Sequence, residues 1–135
     1  MKSAKSFAVI LLFLSILFTN CSQDRDYLFT TNEIITRGNW VVEFFDNQVK
    51  TIEYENYSFQ FSGNGTLQGT NGPNTVKGSW SVIHDVDYSD VLTITMNDQN
   101  TIAELGNSWR VKQKSVNALS LQGQGNPIEF RIRKL

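Results

Sequence analysis

The chain has 135 residues, with 12 Lys and Arg against 13 Asp and Glu and a formal net charge of −1. That length suits one domain with a modest core, and the near balance of charge excludes a global pull toward nucleic acid or an anionic membrane, so no nucleic-acid partner is expected. A single cysteine excludes an intramolecular disulfide.

The first element is a leader. Lys2 and Lys5 stand ahead of Phe7–Phe18, which is apolar throughout except for Ser15. A basic start, a short apolar run and then Thr19-Asn20 describe a secretory signal peptide. The run is roughly 12 residues, short of the ~20 that span a bilayer. Ile16-Leu17-Phe18-Thr19-Asn20-Cys21 resembles a bacterial lipobox, in the looser form of Bacteroidetes-type bacteria. The resemblance implies a lipoprotein signal peptide over 1–20, cleavage before Cys21 and acylation of that cysteine with palmitate-like chains. Each buried methylene is worth about 0.8 kcal/mol, so several chains anchor the protein permanently to a membrane. Ordinary signal-peptidase cleavage, leaving a free thiol at Cys21, is the alternative. Ser22 stands where an Asp would favour inner-membrane retention in enterobacterial lipoproteins, so the resemblance implies the outer membrane of a bacterial cell envelope. Asp24 and Asp26 resemble a surface-export signal, interrupted by Arg25. Residues 21–37 are expected to be the lipidated cysteine and a polar tether. Loss of Lys2 and Lys5 with the leader makes the remainder more acidic than the whole chain.

From Trp40 onward the apolar period is two, the signature of half-buried strands. Trp40, Val42 and Phe44 form a first inward set; Tyr57, Phe59 and Phe61 a second. Ser62-Gly63-Asn64-Gly65 is a turn, Thr66–Thr70 a short strand and Asn71-Gly72-Pro73-Asn74 another turn. Val76, Gly78, Trp80 and Val82 alternate with polar residues, as do Leu92, Ile94 and Met96, then Trp109, Val111 and Gln113. Leu119 and Leu121, and finally Ile128, Phe130 and Ile132, complete eight segments separated by Gly/Asn/Asp/Pro turns. Ile102–Leu105 suits one short helical turn. Between the first two strands the phase slips at Glu55-Asn56: either a bulge sits there, or Asp46–Asn56 is a long loop with aromatics folded over one end. The even meander predicts a small all-β, eight-stranded antiparallel up-and-down barrel over 38–135. An immunoglobulin-like sandwich is the alternative, but it needs longer crossovers.

Gly38-Asn39-Trp40, Tyr57/Phe59/Phe61 running into Asn64-Gly65, Gly78/Trp80, and Glu104-Leu105 leading to Trp109-Arg110-Val111 form an ordered set. With it, residues 38–135 resemble the lipocalin (calycin) superfamily, and more narrowly the short lipocalin-like lipoproteins of Bacteroidetes. The resemblance implies a barrel, with apolar-ligand binding at most and no chemistry. It also implies that a late Arg, either Arg131 or Arg133, packs over Trp40 at the closed end.

Eight strands enclose an interior that side chains fill or that holds one small ligand. A pocket for a small hydrophobic molecule would be lined by Trp40, Phe44, Tyr57, Phe59, Trp80, Trp109 and Phe130, with room beside Gly69 and Gly78. The indole N–H groups and the Tyr57 hydroxyl would be its polar handles. A packed core that binds nothing is the other reading. No catalytic residue is expected: His84 beside Asp85 reads as solvated, no Gly-x-Ser-x-Gly elbow occurs, and no carboxylate points inward. No cofactor or metal is expected either. Asp85-x-Asp87-x-Ser89 begins like a calcium loop, but Asp90 and Met96 stand where that loop needs Gly and Glu.

On the outside, Arg110, Lys112 and Lys114 on one strand and Arg131 and Arg133 on the last flank Ala118, Ser120 and Gln122. Two basic stripes around a flat neutral centre suit an anionic partner, while Glu43 and Glu129 offset the charge locally. Two functions follow: an envelope lipoprotein that binds or carries a small hydrophobic molecule, or a non-catalytic interaction lipoprotein with a packed barrel that docks a partner through its outer face.

Overall fold

The computed structural model describes residues 29–87, 89–97 and 102–135. The expected signal peptide and the lipidation at Cys21 lie outside the described residues. Eight strands follow one another as β1 (Asn39–Phe45), β2 (Ser58–Phe61), β3 (Thr66–Asn71), β4 (Asn74–His84), β5 (Asp90–Met96), β6 (Ser108–Lys114), β7 (Ala118–Gly123) and β8 (Glu129–Lys134). Each pairs antiparallel with the next, and β8 returns to β1, so the ladder closes into the expected up-and-down barrel. One closed ladder excludes the two-sheet sandwich.

The period-two pattern makes this closure favourable, because one face of every strand is apolar. Phe59, Phe61, Leu67, Leu92, Ile94, Leu119, Leu121 and Ile132 are buried on the inner face. The turns are built for it: Asn71 faces Asn74 across Gly72-Pro73, and Gly72 takes φ +56°, which a side chain would resist.

Two bulges break the simple alternation. Between Val42 and Phe44 the register against β8 shifts, with Val42 opposite Ile132 and Phe44 opposite Arg131. The extra residue moves Phe45 to the inside, where it is fully buried, and sends Phe44 outward against the Arg131 guanidinium, 4.9 Å from its ring centroid. The expected inward place of Phe44 is thus corrected to Phe45. A second bulge lies between Val111 and Gln113 on β6.

Both ends are covered. At one end, helix α1 (Thr31–Ile35) inserts Ile34 and Ile35, which are 1% and 0% exposed. Thr30 caps it: its hydroxyl accepts from the Glu33 N–H while Glu33 Oε2 accepts from the Thr30 N–H at 2.8 Å, a reciprocal capping box. Residues 30–36, expected as polar tether, are therefore part of the folded unit. Phe29 packs against the same core, with the Arg37 guanidinium 4.5 Å from its ring. The late basic residue over Trp40 is Lys134, whose Nζ lies 5.6 Å from the ring, not Arg131 or Arg133.

At the other end, helix α2 (Gln48–Ile52) and Tyr54 fold across the opening. Thr51 fixes this lid: its hydroxyl accepts from the Phe45 N–H at 2.9 Å and donates to Asn47 O at 2.8 Å. The segment after β1 is thus a helical loop with an aromatic over the barrel. A single 3₁₀ turn, Ala103–Leu105, closes beside it, where one helical turn was expected.

Candidate functional site

The barrel interior is filled by aromatic rings meeting one another. Phe45, Trp109 and Phe130 form a triangle with centroids 5.0 to 5.6 Å apart, and Tyr54 stacks on Phe45 at 4.8 Å. Edge-to-face and tilted pairs of this kind each contribute roughly 0.5–1.5 kcal/mol beyond area burial. Of the expected pocket residues, Trp40, Phe59, Trp80, Trp109 and Phe130 are all buried in this core. Tyr57 is partly buried and stacks on Phe59 at 5.8 Å, and Phe44 is on the outside.

The indole handles are already used. Trp40 Nε1–H donates to Ile35 O at 2.8 Å, Trp80 Nε1–H to Ser62 O at 2.9 Å, and Trp109 Nε1–H to Leu105 O at 3.0 Å. Each indole thus ties a strand to a cap or turn instead of facing a ligand. The space beside the inward glycines is occupied too. A Cβ on Gly69 would come within 2.7 Å of Phe59 and Val76, and one on Gly78 would collide with Thr95 O. The Tyr54 hydroxyl is the exception, buried with no hydrogen-bond partner among the described residues.

Open space lies on the outer wall, where Ala118, Ser120 and Arg131 alternate with the inward Leu119, Leu121, Phe130 and Ile132. A groove of about 720 Å³ crosses β5 to β8 and reaches β1. Ser89 and Asp90 stand at one margin, and Arg131 and Glu43 at the other. Lys112, Lys114, Ala118 and Ser120 lie between them, and Val111 and Leu119 add apolar lining. The local chain geometry explains it. The β5–β6 ladder ends with Val91 opposite Arg110, and the β6 bulge follows at once, so the last residues of β6 part from β5.

The five expected basic residues divide, and Lys114, opposite the inward Leu119 after the β6 bulge, is corrected from the outward stripe to the inner rim of the barrel. Lys112, Lys114 and Arg131 line the groove, whereas Arg110 and Arg133 do not. Arg110 is consumed by the β4–β5 hairpin: Nη2 donates to Asp85 Oδ2 at 2.8 Å, Nη1 donates to Ser89 Oγ at 3.1 Å, and Asp87 lies 3.6 Å away. This arrangement also occupies the acidic loop weighed for calcium. Lys114 Nζ is 3.8 Å from Asp90, and Arg131 Nε is 3.1 Å from Glu129. Lys112 and Arg133 are exposed and have no carboxylate partner among the described residues.

Asp90, which the sequence offers only as a mismatch to a calcium loop, joins the groove to α1. It receives the Thr31 hydroxyl, meets His84 Nδ1 at 2.5 Å and faces Lys114. The signal for Thr31 was present as Thr30-x-x-Glu33 before Ile34-Ile35, a capping box opening a short apolar run. Asp90 itself carried no local signal.

No family model matches the chain, and no curated protein matches it. Among solved structures it is similar to the crystal structure of a DUF4847 family protein from Bacteroides vulgatus ATCC 8482. The TM-score is 0.56 at 16% identity, covering 78% of this chain and 98% of that one. At that identity the likeness is one of fold alone.

Proposed function

We propose that this chain is a cell-envelope lipoprotein, lipocalin-like in form, whose barrel is packed solid and which works without catalysis by docking an anionic group in its outer groove. The observation that carries the reading is the fate of the three indole N–H groups. All are satisfied by backbone carbonyls inside an interior of touching rings, so none of the three indole donors is left for a cargo. The groove supplies what the interior lacks: three cationic side chains, small residues between them and a patch of apolar floor. Lys112 is the cation best placed to meet a ligand, since no carboxylate neutralises it among the described residues. The leader and Cys21 support an outer-membrane, lipid-anchored location through their lipobox resemblance. The carrier reading, with a small hydrophobic molecule inside, draws on that family resemblance alone.

Native mass spectrometry of residues 22–135, purified gently from the host, tests the packed interior. A clean apo mass is expected. A reproducible added mass removed by organic solvent would overturn the reading and restore the carrier.

A further inference from the structure

The barrel is electrically polar along its axis. One end holds α1, the β4–β5 and β6–β7 hairpins and the end of β8; it carries Arg37, Lys114, Arg133 and Lys134, with Lys112 further along the wall at the β6 bulge, in the groove that Glu43 also lines. Its acids are engaged within the fold. Glu33 serves the α1 cap, Asp85 and Asp87 hold Arg110, and Asp90 holds Thr31, His84 and Lys114. The opposite end carries Asp46, Glu53, Glu55, Glu104 and Glu129, with Lys50 bound to Glu104 at 2.8 Å.

Exposed apolar side chains add a second contrast. Ile83 and Val86 stand 58% and 89% exposed on the β4–β5 hairpin at the basic end. Leu135, 74% exposed, joins them there through its N–H bond to Asn39 O. Val49 and Ile52 are exposed at the other end, but among acids that an anionic surface would repel. Val86 stands between Asp85 and Asp87, whose charge Arg110 offsets; together with the cations of the same end, these apolar tips suit one partner chemistry, the headgroup layer of an anionic bilayer, where the tips enter the interface and the cations meet phosphate. The chain ahead of Phe29 also leaves from this end, since Phe29 and α1 pack there.

We infer that the α1 end of the barrel lies flat on an anionic lipid surface, with Ile83 and Val86 dipping into the interface and Lys112 and Arg133 contacting headgroups. This rests on the reading of the groove as an anion site, and makes the anion a lipid headgroup.

Residues 22–135 contain the whole closed ladder and both end covers, so they form a complete folding unit without the lipid. This protein is sedimented with vesicles of phosphatidylcholine alone and of phosphatidylcholine mixed with phosphatidylglycerol. Binding is expected only to the mixed vesicles and falls as salt rises. Lys112→Gln and Arg133→Gln should each weaken it about fivefold, the effect of one cation at such a surface. Val86→Asp should weaken it as well, whereas Val49→Asp at the far end should not. All four positions are exposed, and thermal unfolding checks that each variant is folded. Equal binding to both vesicle types overturns the inference, as does indifference to Val86→Asp. If vesicles fail but polyglutamate binds and Lys112→Gln weakens that binding, the partner is an acidic protein; the lipid inference falls and the groove reading stands. If neither anion binds, both fall.

Discussion

Tyr54 buries a hydroxyl that finds no partner among the described residues, while its ring stacks on Phe45. Burial drives its phenol pKa well above the ordinary value, with Glu104 and Glu53 adding to the shift. An unsatisfied buried hydroxyl costs roughly 1–3 kcal/mol. Tyr54→Phe keeps the ring and removes that cost, so denaturant unfolding should show a gain of about 1 kcal/mol. The fold favours the protonated phenol, so the wild type loses stability as pH climbs past the ordinary phenol value, and Tyr54→Phe lacks that component of the loss. A less stable variant would mean that the hydroxyl is bonded. At this scale the sequence was only partly readable. Val41-Val42 and Phe44-Phe45 offer apolar side chains in both phases, so alternation alone could not choose Phe45 over Phe44. The choice came from the β1 bulge, which depends on pairing with β8, far away in sequence. The exchange of Arg131 or Arg133 for Lys134 over Trp40 has the same root, because outward and end-facing positions are set by strand pairing.

The strands were the most readable elements, since turn residues and a period of two mark each one locally. Helix α1 is the exception: at five residues it is too short to show a helical period, so its capping box is its only local mark. Its contribution can be measured. Ile34 and Ile35 are fully buried, and a buried Ile is worth about 1.5–3 kcal/mol. A chain starting at Gly38 should therefore be less stable than one starting at Ser22 by several kcal/mol, read from unfolding midpoints. Equal stability would show that the barrel end is closed without α1. The cap adds a pH dependence. The Thr30 N–H, and then its hydroxyl, hold the Glu33 carboxyl below its ordinary pKa. That stabilisation is present above the unfolded value of 4.5 and is lost as pH falls through the lower folded value. Amide exchange should show α1 losing protection in acid. With Glu33→Gln, which keeps a capping-box side chain, the acid step should vanish.

For the whole molecule, the ladder closes, and unpaired strand edge is confined to short stretches where β6 runs past its pairing with β5 and β1 past its pairing with β2. The basic stripes were visible in the sequence, but the groove between them was not: it arises where the β6 bulge parts that strand from β5, and Arg110 is lost to Asp85 and Asp87 through a hairpin contact. The way α1 is seated has a mechanical consequence. Any pull on the segment ahead of Phe29 reaches α1 first, and α1 is fastened by the Thr31–Asp90 contact and by the Trp40 indole on Ile35 O. To peel β1, such a load must first drag Ile34 and Ile35 out of the barrel mouth and expose their aliphatic surface to water, and must then break β1 from β2 and β8 on both sides. The N-terminal leash therefore ends in a plug, and tension along it is borne by the hydrophobic core before it is borne by any strand.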